Sequence, residues 1–235
     1  MTKGTEVVDI EAAIRAKVQA AASRTAPTGG NMIKLTKDKK FKMPDGEERE
    51  GPLSVVVLDF ISANSYFDRP YRDGEVTPPA CFAIGDNPKD MAPDESSPVK
   101  QSASCNGCPM NEFGSHPNGR GGKACQNKRL LAVKAPGDDP EAPIYLLAIS
   151  PTGTKYWDAY VGLIKNRFNT AEFGVITEIY FDDKSDFQSL RFGNPAENPF
   201  IKEDFGRVGE ARELLTVKPD VSGYTPLTPK KAGKR

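Results

Sequence analysis

The sequence predicts a mostly-β or α+β protein: a small barrel of about five strands with flanking helices, interrupted by an inserted metal-binding subdomain. Three observations carry this. Strand-like runs rich in β-branched residues stand before and after the middle of the chain. Between them, residues 72–142 abound in Pro, Gly, Asp and Ser and show little periodicity, yet they hold all four cysteines and the single histidine. One helical pattern then falls between the later strands.

The elements follow in order. Val7, Ile10, Ile14 and Val18 recur at helical spacing among alanines, which predicts a helix over 6–22. Residues 23–31 read as a linker. From Lys3 to Lys42 there are nine basic and four acidic residues, so residues 1–31 are expected to form an N-terminal helix and basic arm. Residues 32–43 and 50–61 flank the turn signal Pro44-Asp45-Gly46, predicting a hairpin that leads into a buried central strand at Leu53-Ser54-Val55-Val56-Val57-Leu58. Residues 72–142 are expected to form the insertion, ordered by metal because a structureless loop of that length is improbable in a compact domain. A strand resumes over 143–150. Thr152 or Thr154 is expected to cap a helix whose apolar face is Trp157, Tyr160, Val161 and Ile164. Residues 174–182 and 187–192 read as a second hairpin, and 200–216 as a last helix. The core thus spans 32–216, and 217–235 is expected to be a disordered basic tail.

Composition narrows the function classes. Hydrophobic residues are 37% and charged residues 27%, as in soluble globular proteins. Lys+Arg and Asp+Glu are both 32, which excludes a uniformly basic coat but not local basic patches. The longest apolar runs are too short to span a bilayer, and the first residues are acidic where a secretory signal needs an apolar core. The expectation is a cytoplasmic protein with no membrane partner. A single histidine leaves little for histidine-based acid–base catalysis, and no nucleotide-loop, nucleophile-elbow or zinc-protease motif is present. No enzymatic activity is expected.

The cysteines carry the strongest signal. Cys105-Asn106-Gly107-Cys108 is a C-x2-C pair, with Cys81 before it and Cys125 after it. Two intervening residues let both sulfurs face one ion from a tight turn, and Gly107 supplies the backbone freedom. In a reducing compartment such a group points to structural Zn2+ rather than disulfides. The ligand set is Cys81, Cys105, Cys108 and Cys125, or the set in which His116 replaces Cys81. Unrelated buried cysteines are the bland alternative. A closed four-ligand site leaves no position for hydrolytic chemistry.

Around that cluster, residues 113–137 contain no acidic residue and five basic ones, Arg120, Lys123, Lys128, Arg129 and Lys134. Residues 171–205 contain eight acidic and three basic. One side of the molecule is therefore expected to suit phosphate. The aromatics Tyr66, Phe67 and Tyr71 sit beside Arg69 and Arg72. Stacking aromatics with cations on the backbone are how single strands are bound without sequence readout, although core packing explains Tyr66 and Phe67 equally well. Trp157 and Tyr160 read as core, whereas Lys155 and Tyr156 read as candidate contacts. The candidate nucleic-acid set is Tyr66, Phe67, Arg69, Tyr71, Arg72, Arg120, Lys123, Lys128, Arg129, Lys155 and Tyr156.

Three stretches together resemble a known group: Pro79-Ala80-Cys81-Phe82; Cys105-x2-Cys108-Pro109-x-Asn111-x-Phe113-Gly114-Ser115; and Gly122-Lys123-Ala124-Cys125-x-Asn127-x-Arg129-Leu130-Leu131-Ala132-Val133. The group is a set of bacteriophage-encoded proteins with the pattern C…C-x-x-C-P…(W/F)-G-S…G-K-x-C, associated with single-stranded DNA in phage replication and recombination. The resemblance covers residues 78–134. It implies an OB-like fold with a zinc insertion, a non-ligand role for the His116 position, residence in the host cytoplasm, and phage or host replication and recombination proteins as partners. The chain departs in its basic end, Lys230-Lys231-Ala232-Gly233-Lys234-Arg235, where many such binders have an acidic tail. The functional expectation is a single-stranded DNA-binding protein; the alternative is a zinc-containing transcription or replication accessory factor that docks on a polymerase.

Overall fold

The run Leu53-Ser54-Val55-Val56-Val57-Leu58 opens the longest strand of the molecule, β4 (Leu53–Tyr66). The computed structural model describes residues 30–70, 77–119 and 121–226. The predicted helix at 6–22 lies outside them. Ahead of β4 come β1 (Met32–Leu35), β2 (Phe41–Lys42) and β3 (Glu48–Arg49). After it come β5 (Cys81–Gly85), β6 (Cys125–Lys134), β7 (Tyr145–Ile149), α1 (Pro151–Phe168), β8 (Val175–Phe181), β9 (Leu190–Glu197), α2 (Ile201–Gly206) and α3 (Val208–Leu215).

The expected first hairpin is two tighter ones. β1 pairs antiparallel with β2, and β2 with β3 around the Pro44-Asp45-Gly46 turn. Gly46 takes φ +93° there, and its N–H donates to Met43 O. β4 belongs to neither hairpin. It is the middle of a nine-stranded sheet ordered β3-β2-β1-β7-β6-β4-β8-β9, with β5 also on β4. β8 takes residues 53–56 of one β4 edge and β5 takes 62–66, while β6 runs along the other edge. The sheet is mostly antiparallel and curls into a half-barrel. Its two ends approach through side chains: the Phe41 and Phe181 rings lie 4.7 Å apart, and Lys39 Nζ donates to Asp182 O at 3.0 Å.

β4 is buried on both faces in its first half, which is why it reads as a continuous apolar run. Val55 and Val57 join the inner cluster with Ile33, Phe41, Leu131, Leu147 and Ile179. Val56, Leu58 and Ile61 join an outer cluster covered by Ala211 and Leu215 of α3. A bulge between Val57 and Asp59 lets both sets form. α1 packs on the inner cluster with the face its periodicity predicts. Trp157 is fully buried, edge-on to Phe60 (5.2 Å) and Phe192 (5.1 Å). The Tyr160 hydroxyl donates to Thr177 Oγ1 at 2.9 Å. Gly153 allows this approach, since a Cβ there would stand 2.7 Å from Ile149 Cγ2. The helix starts earlier than the expected caps: Ser150 is the N-cap, two residues before Thr152 and four before Thr154, which both lie inside.

The last helix divides at Arg207 into α2 and α3. Asp204 of α2 reaches into the sheet and accepts from Lys134 Nζ at 2.7 Å, with both side chains almost wholly buried. Asn198 Nδ2 donates to the other Asp204 oxygen at 2.8 Å. Such a pair is tolerated because each charge keeps its hydrogen bonds.

The expected irregular insertion over 72–142 contributes two strands to the sheet, because β5 and β6 both fall within it. What is irregular is the chain between them. Part of it seals the outer edge of β5: Asp94 N donates to Phe82 O at 2.8 Å, Val99 N to Ala80 O at 2.8 Å, and Phe82 N to Ser97 Oγ at 3.0 Å. No helix among the described residues is long and apolar enough to cross a membrane.

Candidate metal centre and nucleic-acid interface

Pairing of β4 with β6 sets the site. Side chains of directly paired residues face the same side of a sheet, and alternate residues share a face. Along the face that carries α1, the pairs run Phe60↔Leu131, Ser62↔Arg129, Asn64↔Asn127 and Tyr66↔Cys125. The ladder therefore passes from apolar to polar to sulfur within seven residues of β4. The polar pairs are bonded across the strands: Arg129 Nη1 donates to Ser62 Oγ at 2.8 Å, and Asn127 Nδ2 to Asn64 Oδ1 at 2.8 Å. β5 extends the last pair on the other side, where Tyr66 pairs with Cys81.

Cys81 and Cys125 thus flank Tyr66 on one face. The C-x2-C turn closes over them. Cys81, Cys105, Cys108 and Cys125 line one pocket together with Asn64, Tyr66 and Asn111. The turn is held by Cys105 N donating to Met91 O (2.9 Å), Asn111 N to Cys108 O (2.8 Å) and Asn111 Nδ2 to Cys105 O (3.0 Å). Gly107 has φ +77°, the left-handed conformation that the sequence anticipates for it. None of the four cysteines is in a disulfide.

The donor set suits a soft divalent ion. Burial, and then the neighbouring Cys105, Cys108 and Cys81, push the Cys125 thiol up to about 12. Burial also raises Cys105, partly offset by a hydrogen bond with Asn64. Thiols that discourage one another's ionisation are brought to ionise by a bound cation. Among the described residues no group of three His, Cys, Asp or Glu side chains is placed so that it could hold a metal ion, although the four cysteines line one pocket. His116 is not among the residues lining this pocket, whereas Cys81 is. The His116 ring instead accepts from Asn118 N through Nδ1 at 3.2 Å.

The candidate nucleic-acid residues scatter more than the sequence suggests. Tyr66 is half-buried in the cysteine pocket, and Phe67 is half-buried beyond it. Arg69 donates to Thr225 O, and the neighbouring Asp68 accepts from the Tyr224 hydroxyl at 2.6 Å. Lys218 pairs with Asp94 at 2.9 Å. The expected disordered tail therefore begins as a strap: residues 218–225 are tied down at three points, and 227–235 lie outside the described residues. Lys128 and Arg129 do not share a patch. Neighbours on a strand point to opposite faces, so Lys128 is half-buried on the face away from the cysteines, where burial lowers its ammonium pKa. Arg129 is engaged by Asp158 of α1 at 3.1 Å as well as by Ser62, and its side chain is 12% exposed. Lys123 bonds Asn111 Oδ1 at 3.2 Å and stands 5.0 Å over the Phe113 ring. Lys155 lies 4.9 Å from the Tyr156 ring, and Arg191 stacks on the same ring at 3.4 Å. Tyr71, Arg72 and Arg120 lie outside the described residues.

Sequence reading gave Asn64 and Arg191 no role in the site, and named Asn127 and Phe113 only as part of the resemblance, not as contacts. Period-two alternation from Phe60 would have found Asn64. Phe113, an aromatic among Glu, Gly, Ser and His, carried its signal in having no apolar partner nearby in sequence.

No family model, no curated protein and no solved structure matches the chain.

Proposed function

We propose that this protein is a non-enzymatic single-stranded DNA-binding protein of phage replication or recombination. In this reading an OB-like half-barrel carries the strand, and a structural zinc ion on Cys81, Cys105, Cys108 and Cys125 holds the loop against the sheet. Zinc would supply charge neutralisation and crosslinking, and no open coordination position.

One observation carries the reading. The inner sheet face is not sealed by apolar side chains along its whole length. Beyond Leu131 it turns polar: Ser62 and Asn64 are buried and bonded to Arg129 and Asn127, and Asn127 and Tyr66 remain half-buried at its end. A half-buried amide and aromatic ring at the end of a sheet face are the kind of groups that sequence-tolerant strand binding uses. The cation-bearing Tyr156 ring adds a second aromatic, on α1. Of the cations in 113–137, Lys123 stands beside the exposed Phe113 ring, where a phosphate could reach it.

The test is fluorescence anisotropy of a labelled single-stranded oligonucleotide at two salt concentrations, with duplex of equal length as competitor. Tight, salt-sensitive binding that duplex competes poorly is the expected result. Absence of binding, or equal preference for duplex, overturns it.

A further inference from the structure

We infer that Phe113, with Lys123 beside it, is a stacking platform for an unpaired nucleobase, built on the cysteine-bearing loop. The inference rests on the single-strand reading above and adds a residue and a contact type to it.

Phe113 is 82% exposed, the most exposed large hydrophobic side chain among the described residues. An exposed phenylalanine on a floppy loop would mean little. This loop is pinned. Gly114 N donates to Gly122 O at 3.0 Å and His116 N to Gly122 O at 3.1 Å, which folds 113–122 back on itself. Gly114, directly after the ring, sits at φ +87°, where a side chain would be strained. Ser115 Oγ lies 2.7 Å from Glu112 O and 3.0 Å from Met110 O, and accepts from Ala124 N at 2.9 Å. That hydroxyl fixes the ring's own turn to the start of β6, one residue from Cys125. The chain therefore spends hydrogen bonds on holding an apolar ring in water.

Lys123 makes the surface specific. Its ammonium is 5.0 Å from the ring centroid and is steered there by Asn111 Oδ1. Asn111 in turn bonds the C-x2-C turn through Cys105 O. A flat ring with a cation beside it matches a base with its phosphate, and every base offers a π face. Glu112 is the one carboxylate next to the ring in sequence, and it is exposed.

The experiment uses the full chain and oligodeoxythymidylate. Phe113→Ala should keep wild-type metal content, because no buried surface is lost, and should weaken binding roughly 5- to 150-fold. Its salt slope should stay unchanged, since the ring carries no charge, whereas Lys123→Gln should lower the slope by about one. Phe113→Trp should restore affinity, and its emission should be quenched on binding; Trp157, fully buried, reports any unrelated change. If wild type binds tightly and Phe113→Ala binds equally well, the platform is wrong and the single-strand reading stands. If wild type binds no single strand, the reading itself falls and takes the platform with it. If Phe113→Ala loses a polymerase partner while DNA binding is untouched, the ring is a protein contact and the inference is overturned.

Discussion

The two halves of β4 make opposite use of the same backbone ladder with β6. Residues 53–61 are buried on both faces, under α1 on one side and α3 on the other. Residues 62–66 exchange that apolar packing for Ser62–Arg129, Asn64–Asn127 and the cysteine pocket, with Ser62 and Asn64 still buried. The first half is held by area removed from water, at about 1.5–3 kcal/mol per buried large side chain. The second half is held by polar bonds, each worth about 0.5–1.5 kcal/mol net. One strand thus joins an apolar core to a polar end that closes on a pocket of four cysteines.

Cysteine replacement should break this contrast most severely. Cys108→Ser is expected to abolish stoichiometric zinc and to remove hydrogen-exchange protection from 81–111, while residues 130–134 stay protected by the core. Loss of protection at 130–134 as well would mean the halves are one unit. Next in size is Asp204→Ala, which leaves Lys134 buried without its partner. It should cost about 3–5 kcal/mol in urea unfolding, and replacing both residues by apolar ones should recover most of that. Arg129→Gln should cost about 1–3 kcal/mol, because Asp158 and Ser62 lose a charged partner, yet leave the DNA salt slope unchanged. A slope that falls by one would place Arg129 on phosphate after all.

The smallest effect concerns the strap. Its hydrogen bond to the Asp68 carboxylate, helped by burial, pushes the Tyr224 hydroxyl from 10.0 up to about 12. A raised folded pKa stabilises the protonated form. Its contribution is therefore complete below pH 10 and is lost as pH rises through about 12. Phenolate absorbance in wild type and Tyr224→Phe should differ by one late-titrating tyrosine.

The core half was the legible half. Trp157, Tyr160, Val161 and Ile164 repeat every three or four residues because α1 buries one stripe, and Val55–Leu58 are uninterrupted because β4 is covered on both faces. The polar half hid itself. β6 reads Cys-Gln-Asn-Lys-Arg before Leu-Leu-Ala-Val, so its first residues look like loop, and its last, Lys134, is a buried lysine that pattern reading assigns to solvent. The shared basic patch of Lys128 and Arg129 failed for the same reason: without the strand, alternation could not be applied. The C-x2-C spacing identified the sulfurs, but their meeting at Tyr66 depends on two strand pairings far apart in sequence, which no local pattern encodes.

The segment over 94–99 has a consequence of its own. It occupies the peptide groups on the free side of β5 that would otherwise stand open to a neighbouring molecule. Any treatment that loosens this segment exposes a bare β-edge beside the cysteine pocket. The damaged protein would then self-associate by backbone pairing rather than persist with one slack loop. A short, irregular run of Asp, Glu, Ser and Pro is thereby a guard against self-association.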